Sequence, residues 1–323
     1  MHPFCNLRAE RFYSDPQLFE CGVVYSLDRS PGGSSSGSGA VVGAGLVDLA
    51  LGTQTAGSLI RPAAYCGAVG FKAGQGVLPM DGVTPLSPTH DTVGVIAGSV
   101  DLAETAFQVM RAEEVADAVH PPRRAAWVVL DKNVSVEPAR QKALEATVER
   151  TGTLVGPVGA MEVTFDIETV VADHRTVMCA EAAVAHSHLL DDTTRSLLKP
   201  GFRSALQEGR DVCPTSVAAA IQHLTEVRHT FWSQHANTDI IVTLPVPEGP
   251  PVLGVSTGFQ TWLTIWTVLG GPLLCMPWGL DEAGLPLSVM LAAKPGSDAA
   301  LLRFGKELVQ GAPVTPPPVF PAP

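Results

Sequence analysis

Hydrophobic positions recur along this chain with two alternating periods, one typical of amphipathic helices and one typical of buried strands. The clearest helix is predicted over 101–116, where Leu102, Phe107 and Met110 share one side and Asp101 and Glu104 have capping-box spacing. Short apolar runs predict strands between helical stretches. Strands are expected at 49–52, 127–130, 163–165, 240–242, 273–276 and 285–292, and further helices at 137–150, 175–190, 215–234 and 298–309. This alternation predicts an α/β sheet.

The most hydrophobic stretch, 39–60, is predicted to be protein core. Small and aliphatic residues at 38–47 cover every face of a helix, which indicates a helix buried all round. Asp48, Gln54 and five glycines interrupt the stretch, and a helix that faces lipid disfavours such residues. We therefore expect no membrane association.

Three segments are expected along the chain. Residues 1–22 read as a remnant or divergent N-terminal segment, 23–310 as one large domain, and 311–323, with six prolines, as an extended tail. The first residues have no apolar run after their charges, so they predict neither a signal peptide nor an anchor.

Composition excludes several functional classes. Apolar residues make up 46% of the 323 positions, enough for a sizeable core. The formal charge is −11 and Lys/Arg clusters are missing, which argues against nucleic-acid binding. The six cysteines have no metal-ligand spacing and are expected to be mostly buried thiols in a reducing cytosol. A cytoplasmic protein without metal or cofactor is predicted, and a homo-oligomer is compatible with the sequence.

The candidate chemistry lies in two glycine-rich polar segments, PGGSSSGSGA at 31–40 and GTQTAGS at 52–58. They bracket the apolar helix and the first strand. Such turns bring backbone N–H groups and serine hydroxyls together, as the stabilisation of an oxyanion requires. A flexible Gly/Ser linker is the alternative, but the apolar run that follows disfavours it.

Two motif matches offer further alternatives. The segment 33–37 matches GxSxG, which would make Ser35 a nucleophile, but the preceding strand at 23–25 is too distant for a sharp elbow. Gly37, Gly39 and Gly43 resemble a dinucleotide turn, yet they lack a strand directly before them and an acidic residue at the expected distance. Both matches are weak.

Taken together, the segment 32–40, the apolar spacer and GTQTAGSLIRPAAYCGAVGFK at 52–72 resemble the signature of the amidase signature family. The resemblance continues through 92–94 and the helix from 101, through 180–210, which is similar to the family's variable substrate-side region, and through 269–272 and 285–289. It implies an α/β fold with a mixed sheet flanked by helices on both faces, and hydrolysis of a carboxamide of a small molecule.

By this resemblance Ser58 is the acyl-forming nucleophile and Ser34, which follows a cis peptide bond in the family, relays its proton. A serine hydroxyl needs such help because it is a weak nucleophile until a neighbour takes its proton. The backbone N–H groups of Thr55, Ala56, Gly57 and Ser58 are implied to form the oxyanion hole. Residues expected to line the substrate site are Gly32, Gly33, Ser35 and Gln54.

The family's third catalytic group is a lysine upstream of the bridging serine, and this sequence has none there. All six lysines follow Ser58, and Lys72 belongs to a part of the signature where the lysine is not the base. The chain is expected to lack the family's N-terminal part, as a fragment of a normal amidase with impaired activity. A non-catalytic amidase-fold pseudoenzyme or interaction module is the alternative, and a glutaminase like the A-subunit of an amidotransferase is another.

Other candidates receive structural interpretations. His186 or His188 as a substitute base is weaker than a packing role. Arg61 is expected to tie loops together more than to hold a carboxylate. The tryptophans Trp262, Trp266 and Trp278 are expected in the core.

Overall fold

The computed structural model describes residues 23, 25–111, 121–190 and 198–316. Their strands form one mixed sheet of eight. The strands are β1 (Leu49–Gln54), β2 (Val69–Lys72), β3 (Thr92–Ala97), β4 (Ala125–Trp127), β5 (Gly159–Ala160), β6 (Ile240–Thr243), β7 (Leu273–Leu280) and β8 (Pro286–Ala292). The predicted α/β class with a mixed sheet is confirmed.

The sheet order is β1-β3-β2-β7-β8-β6-β4-β5. Neighbours from β1 to β6 pair antiparallel, whereas β6, β4 and β5 run parallel to one another. The parallel part requires crossovers, and long helices supply them.

Helices cover both faces of the sheet. The α-helices of the described residues are α1 (Ser36–Gly43), α2 (Ile60–Cys66), α3 (Val100–Met110), α4 (Pro138–Val155), α5 (Ile167–Ala185), α6 (Pro200–Asp211), α7 (Pro214–Gln234), α8 (Thr261–Leu269) and α9 (Asp298–Val309), and a short 3₁₀ helix spans Ser187–Leu190. Two neighbours in β2 illustrate the two faces. Gly70 lies so close to α2 that a Cβ there would approach Ala63 to 2.6 Å, whereas the ring of Phe71 packs edge-on against Phe107 of α3.

Several predicted elements are confirmed and others are corrected. The helix predicted over 298–309 has those bounds, and α7 begins one residue before its prediction. The strand predicted at 163–165 is wrong, because this segment is irregular and the ring of Phe165 packs against Phe231 of α7. Phe165 therefore packs on a helix, and the segment does not join the sheet.

Two helix starts also differ from prediction. Helix α3 begins at Val100 because the side chain of Ser99 caps it, accepting from Leu102 N–H, so the Asp101–Glu104 capping box is wrong. Residues 112–116 of that prediction lie outside the described residues. Helix α5 begins at Ile167, eight residues before its prediction, because Asp166 caps it.

The outer edge of β1 is covered by serines from the first glycine-rich segment. The hydroxyl of Ser38 donates to the carbonyl of Leu51 at 2.8 Å. The hydroxyl of Ser35 accepts from Thr53 N–H at 3.3 Å and donates to Thr53 O at 3.4 Å. Two positions of this edge strand are thus hydrogen-bonded to side chains.

The remaining predictions about segments stand as follows. Within the described ranges, no helix has the length and apolar character needed to cross a bilayer. The predicted segment 1–22 lies outside the described residues, as do 317–323 of the predicted tail. In the described part of the tail, Thr315 Oγ1 accepts a hydrogen bond from Gly279 N–H at 3.0 Å.

Candidate active site

The two glycine-rich segments lie side by side at the end of β1. We call residues 32–35, which lead into α1, the first turn, and residues 55–58, which join β1 to α2, the second turn. The N–H of Ser35 donates to the carbonyl of Ser58 at 3.0 Å, which links the turns directly. The Gly33–Ser34 peptide bond is cis, at the position where the family resemblance implies one. Ser58 is 2% exposed, whereas Ser34 is half-buried.

The carbonyl groups of the second turn are held by three different elements. Thr55 O accepts from Nε2 of His174 on α5 at 2.8 Å. Ala56 O accepts from the hydroxyl of Thr267 on α8 at 2.6 Å. Gly57 O accepts from the N–H of Arg61 on α2 at 3.1 Å.

This anchoring fixes the direction of the N–H groups in the same peptide units. In a trans peptide the C=O and N–H bonds point to opposite sides. Because the carbonyls of Thr55, Ala56 and Gly57 are held by the surrounding helices, the following N–H groups face the other way. Among the described residues, the N–H groups of Ala56 and Gly57 donate no hydrogen bond. The turn thus presents N–H donors from which an anionic oxygen can accept hydrogen bonds.

Gln54 is fully buried and supports the second turn from behind. Its Oε1 accepts from the N–H groups of Leu59 and Ile60 at 3.2 and 3.0 Å, and its Nε2 donates to Thr267 Oγ1 at 3.0 Å. The side chain therefore satisfies the first N–H groups of α2, which have no partner within the helix. Because the amide is used in this way, the geometry favours a supporting role over the substrate contact that the sequence predicts.

The first turn is held by Arg61, whose side chain is buried. Its Nη2 donates to Gly33 O at 2.6 Å and its Nη1 to Gly258 O at 2.9 Å. The guanidinium fork thus ties the first turn to the segment before α8, as the structural interpretation of Arg61 predicts. Gly33 packs against Thr257, which a Cβ on Gly33 would approach to 3.0 Å. Gly32 has a φ of 80°, a conformation that favours glycine.

A buried carboxylate, Asp91, joins the second turn to the segment before β3. It accepts from the hydroxyl of Thr55 and from the N–H groups of Leu86 and Ser87 at 2.6 and 3.0 Å. Sequence reasoning missed Asp91, Thr267 and His174. Each reaches the turn from a distant element, and single-sequence spacing carries no signal for such contacts.

Lys72 and His186 are engaged away from the two turns. Nζ of Lys72 donates to the carbonyls of Ala73 and Gly271 at 2.8 and 2.9 Å, and burial lowers the pKa of this amine to about 8. Nε2 of His186 lies 2.8 Å from Pro85 O. Trp262, Trp266 and Trp278 are buried in the core, as predicted.

Within the described residues, no group of three or more His, Cys, Asp or Glu side chains has an arrangement that could hold a metal ion. What the two turns themselves offer to a substrate is serine hydroxyls and backbone N–H donors.

Comparison with known proteins gives consistent matches. The family model described as Amidase matches residues 24–302. The chain is 27% identical to the A-subunit of glutamyl-tRNA(Gln) amidotransferase of Methanothermobacter thermautotrophicus, over 87% of this chain and 67% of that protein. It is 30% identical to mandelamide hydrolase of Pseudomonas putida, over 87% of this chain and 62% of that protein. The chain thus spans about two thirds of these relatives.

A solved structure described as an amidase superposes with a TM-score of 0.83, at 24% identity, over 94% of this chain and 71% of that one. At this identity the match shows the fold alone. It agrees with the mixed sheet and the two layers of helices seen here.

Proposed function

The chain belongs to the amidase family, and on that premise we propose that it cleaves the carboxamide C–N bond of a small molecule through an acyl-serine intermediate on Ser58. The observation that carries the proposal is the orientation of the second turn. The surrounding helices hold the carbonyls of Thr55, Ala56 and Gly57, so the N–H groups that follow are directed to the opposite side, which is the arrangement that an oxyanion hole requires.

In the proposed reaction, the hydroxyl oxygen of Ser58 attacks the substrate's carbonyl carbon. The proton of Ser58 passes to Ser34, whose own proton passes to a base. The carbonyl oxygen becomes an oxyanion that accepts from the N–H groups of residues 55–58. The C–N bond then breaks, the leaving nitrogen takes a proton, and water hydrolyses the ester to a carboxylic acid.

None of the six lysines of the sequence is assigned as the general base of this mechanism. No lysine precedes Ser34, and the amine of Lys72 is bonded to main-chain carbonyls. We propose that these 323 residues alone turn substrate over slowly, since losing a general base typically removes about 10²–10⁴-fold in rate. A base supplied with a longer chain would restore the rate.

Covalent labelling tests the nucleophile separately from turnover. A fluorophosphonate reacts when a serine oxygen attacks phosphorus and fluoride leaves. We expect intact-mass and peptide spectra to place one adduct on Ser58, to lose it in Ser58→Ala and to find it slowed in Ser34→Ala. Ser288→Ala is the matched control, because Ser288 is a buried serine whose hydroxyl donates to Ala64 O. An adduct that survives in Ser58→Ala would overturn the assignment.

Slow turnover has its own test. Hydrolysis of a panel of primary aryl and alkyl amides is measured for this chain and for a version extended upstream in its reading frame. We expect labelling in both and efficient turnover only in the extended version, if an upstream lysine is present. Absence of both activities from both versions would favour the non-catalytic alternative.

A glutaminase of the amidotransferase type is the second candidate, because one relative is the amidotransferase A-subunit named above. Release of ammonia from glutamine, and none from aryl amides, would favour it over a small-molecule amidase.

A further inference from the structure

Two histidines are buried together behind the second turn. His90 lies before β3 and His174 lies on α5; they are 2% and 3% exposed, and their ring centroids are 4.4 Å apart. Nε2 of His174 is the atom that contacts Thr55 O. A carbonyl oxygen only accepts hydrogen bonds, so Nε2 must carry the proton.

Both rings are neutral at ordinary pH. Burial lowers the pKa of His174 to about 4, against the smaller opposing effects of the Thr55 hydrogen bond and Glu181. Burial, reinforced by His174 and Arg228, lowers the pKa of His90 to about 2. The contact with Thr55 is thus a hydrogen bond between neutral groups, and it persists over the pH range in which proteins usually work.

The helix that carries His174 also forms hydrogen bonds with the segment before Asp91. Glu181 lies two turns further along α5, on the same face as His174. Its carboxylate accepts from the hydroxyl of Ser87 at 2.5 Å and from the N–H of Thr89 at 3.1 Å. The same short segment presents Asp91 to the hydroxyl of Thr55. Helix α5 therefore holds Thr55 by two routes, one to its carbonyl and one through Asp91 to its hydroxyl.

Helix α5 packs in turn against the other helices on its side of the sheet. It contacts α6, α7 and α8, and its Arg175 pairs with Glu208 of α6. This layer includes most of the segment 180–210 that resembles the family's substrate-side region. A shift of the layer would therefore reach the second turn through a direct hydrogen bond.

We propose that His174 is a positioning residue: its Nε2–H, backed by the ring of His90, sets the peptide plane between Thr55 and Ala56 and so aims the Ala56 N–H at the reacting oxygen. The inference rests on the proposed function. Helix α5, through His174, couples the helical layer to the proposed oxyanion hole. Rotation of this one peptide unit would remove a donor without touching Ser58.

The chain offers a matched control for this residue. His186, at the C-terminal end of α5, is equally buried, and its Nε2 also lies 2.8 Å from a carbonyl, that of Pro85. Leucine and glutamine replacements at both positions separate a lost donor from a lost ring, because the glutamine amide reaches about as far as Nε2. Circular dichroism and urea unfolding establish the folded fraction of each variant.

The first readout is the rate of fluorophosphonate labelling at Ser58. We expect His174→Leu to slow labelling by about ten- to a hundredfold. This is less than the roughly 10²–10³-fold cost of removing an oxyanion-hole donor, because the Ala56 N–H is misdirected and not removed. His174→Gln should recover most of the rate, and the two His186 variants should label like the wild type once corrected for folded protein. Equal rates in His174→Leu and His186→Leu, or a His174→Gln as slow as His174→Leu, would overturn the proposal.

The second readout does not need an active site. Long-range ¹H–¹⁵N spectra should show His174 as the Nε2–H tautomer without titration from pH 5.5 to 8. In His174→Leu, the Ala56 amide should shift and exchange faster than in His186→Leu. A His174 that titrates near its ordinary pKa, or an Ala56 amide equally affected in both variants, would refute positioning. If the wild type does not label at all, the proposed function fails, and this readout alone decides the inference.

Discussion

Replacement of Thr267 by valine tests the anchoring of the second turn most directly. The side chain of valine has nearly the shape of that of threonine but cannot form hydrogen bonds. The hydroxyl of Thr267 donates to Ala56 O at 2.6 Å and accepts from Gln54 Nε2 at 3.0 Å. The substitution therefore leaves two buried groups, an acceptor and a donor, without that partner.

The expected cost follows from those two groups. A buried polar group without a partner costs about 1–3 kcal/mol, and the added methyl group offsets part of the sum. We expect Thr267→Val to lower the free energy of unfolding by about 2–4 kcal/mol. Because Ala56 O is one of the anchored carbonyls, labelling of Ser58 should also slow in the protein that remains folded.

Thr264, one turn earlier on α8, is the control. It is equally buried, but its hydroxyl donates to Gln260 O, which also accepts from the Thr264 N–H at 2.9 Å. Thr264→Val thus leaves no carbonyl without a partner and should cost within about 1 kcal/mol. Urea unfolding and labelling rates are measured for both variants. Equal unfolding midpoints and equal rates would show that the Thr267 contacts do not hold the turn.

Three further outcomes are expected. Because the pKa of His90 is held at about 2, the unfolded chain binds a proton below about pH 6.5 that the folded chain does not bind. The contribution of His90 to the free energy of unfolding is therefore present above that pH and is lost as the pH is lowered. In urea unfolding from pH 6 to 4, the free energy of unfolding should fall less steeply with decreasing pH in His90→Leu than in the wild type, by about 1.4 kcal/mol per pH unit. Gly43→Ala should unfold at a markedly lower urea concentration, because its Cβ would overlap Cys66 O where α1 crosses α2. The control is Gly152→Ala on α4, whose Cβ would meet its nearest atom at 3.9 Å, and it should be neutral or stabilised. Equal urea midpoints for the two variants would contradict the close approach at Gly43. Arg61→Lys should slow Ser58 labelling by about tenfold or more, because one ammonium cannot replace the fork that joins Gly33 O to Gly258 O and the first turn would be misplaced. A labelling rate like that of the wild type would refute this.

The sequence predicted best the elements whose pattern is local. Helix α9 has a polar face and an apolar face, and its predicted bounds agree with the structure. Helix α2 and strands β2 and β3 were not predicted. All their residues are buried, so they have no polar period, and Pro62, Gly70 and Gly94 interrupt the apolar runs from which the equally buried β6 and β8 were predicted. Strand β1 was predicted too short, at 49–52, because its polar end, up to Gln54, reads as part of the glycine-rich turn.

The candidate site divides in the same way. The two serines and the glycine turns lie within one continuous segment, so the family resemblance could be read from it. The roles of Ser34 and Ser58 remain proposals. His174, Asp91 and Thr267 lie tens to hundreds of positions from the second turn, and only the fold brings them to its carbonyls. A carbonyl's partner depends on tertiary geometry, which residue spacing does not encode.

The hydroxyls of Ser35 and Ser38 that cover the edge of β1 have a consequence for association between molecules. An open edge strand recruits strands from other copies and so promotes aggregation. Here part of that edge is occupied by the segment that also carries Ser34. Loosening this segment would therefore expose a template for intermolecular sheet growth at the same moment as it disorders the proposed chemistry, so solubility and the proposed activity depend on the same short segment.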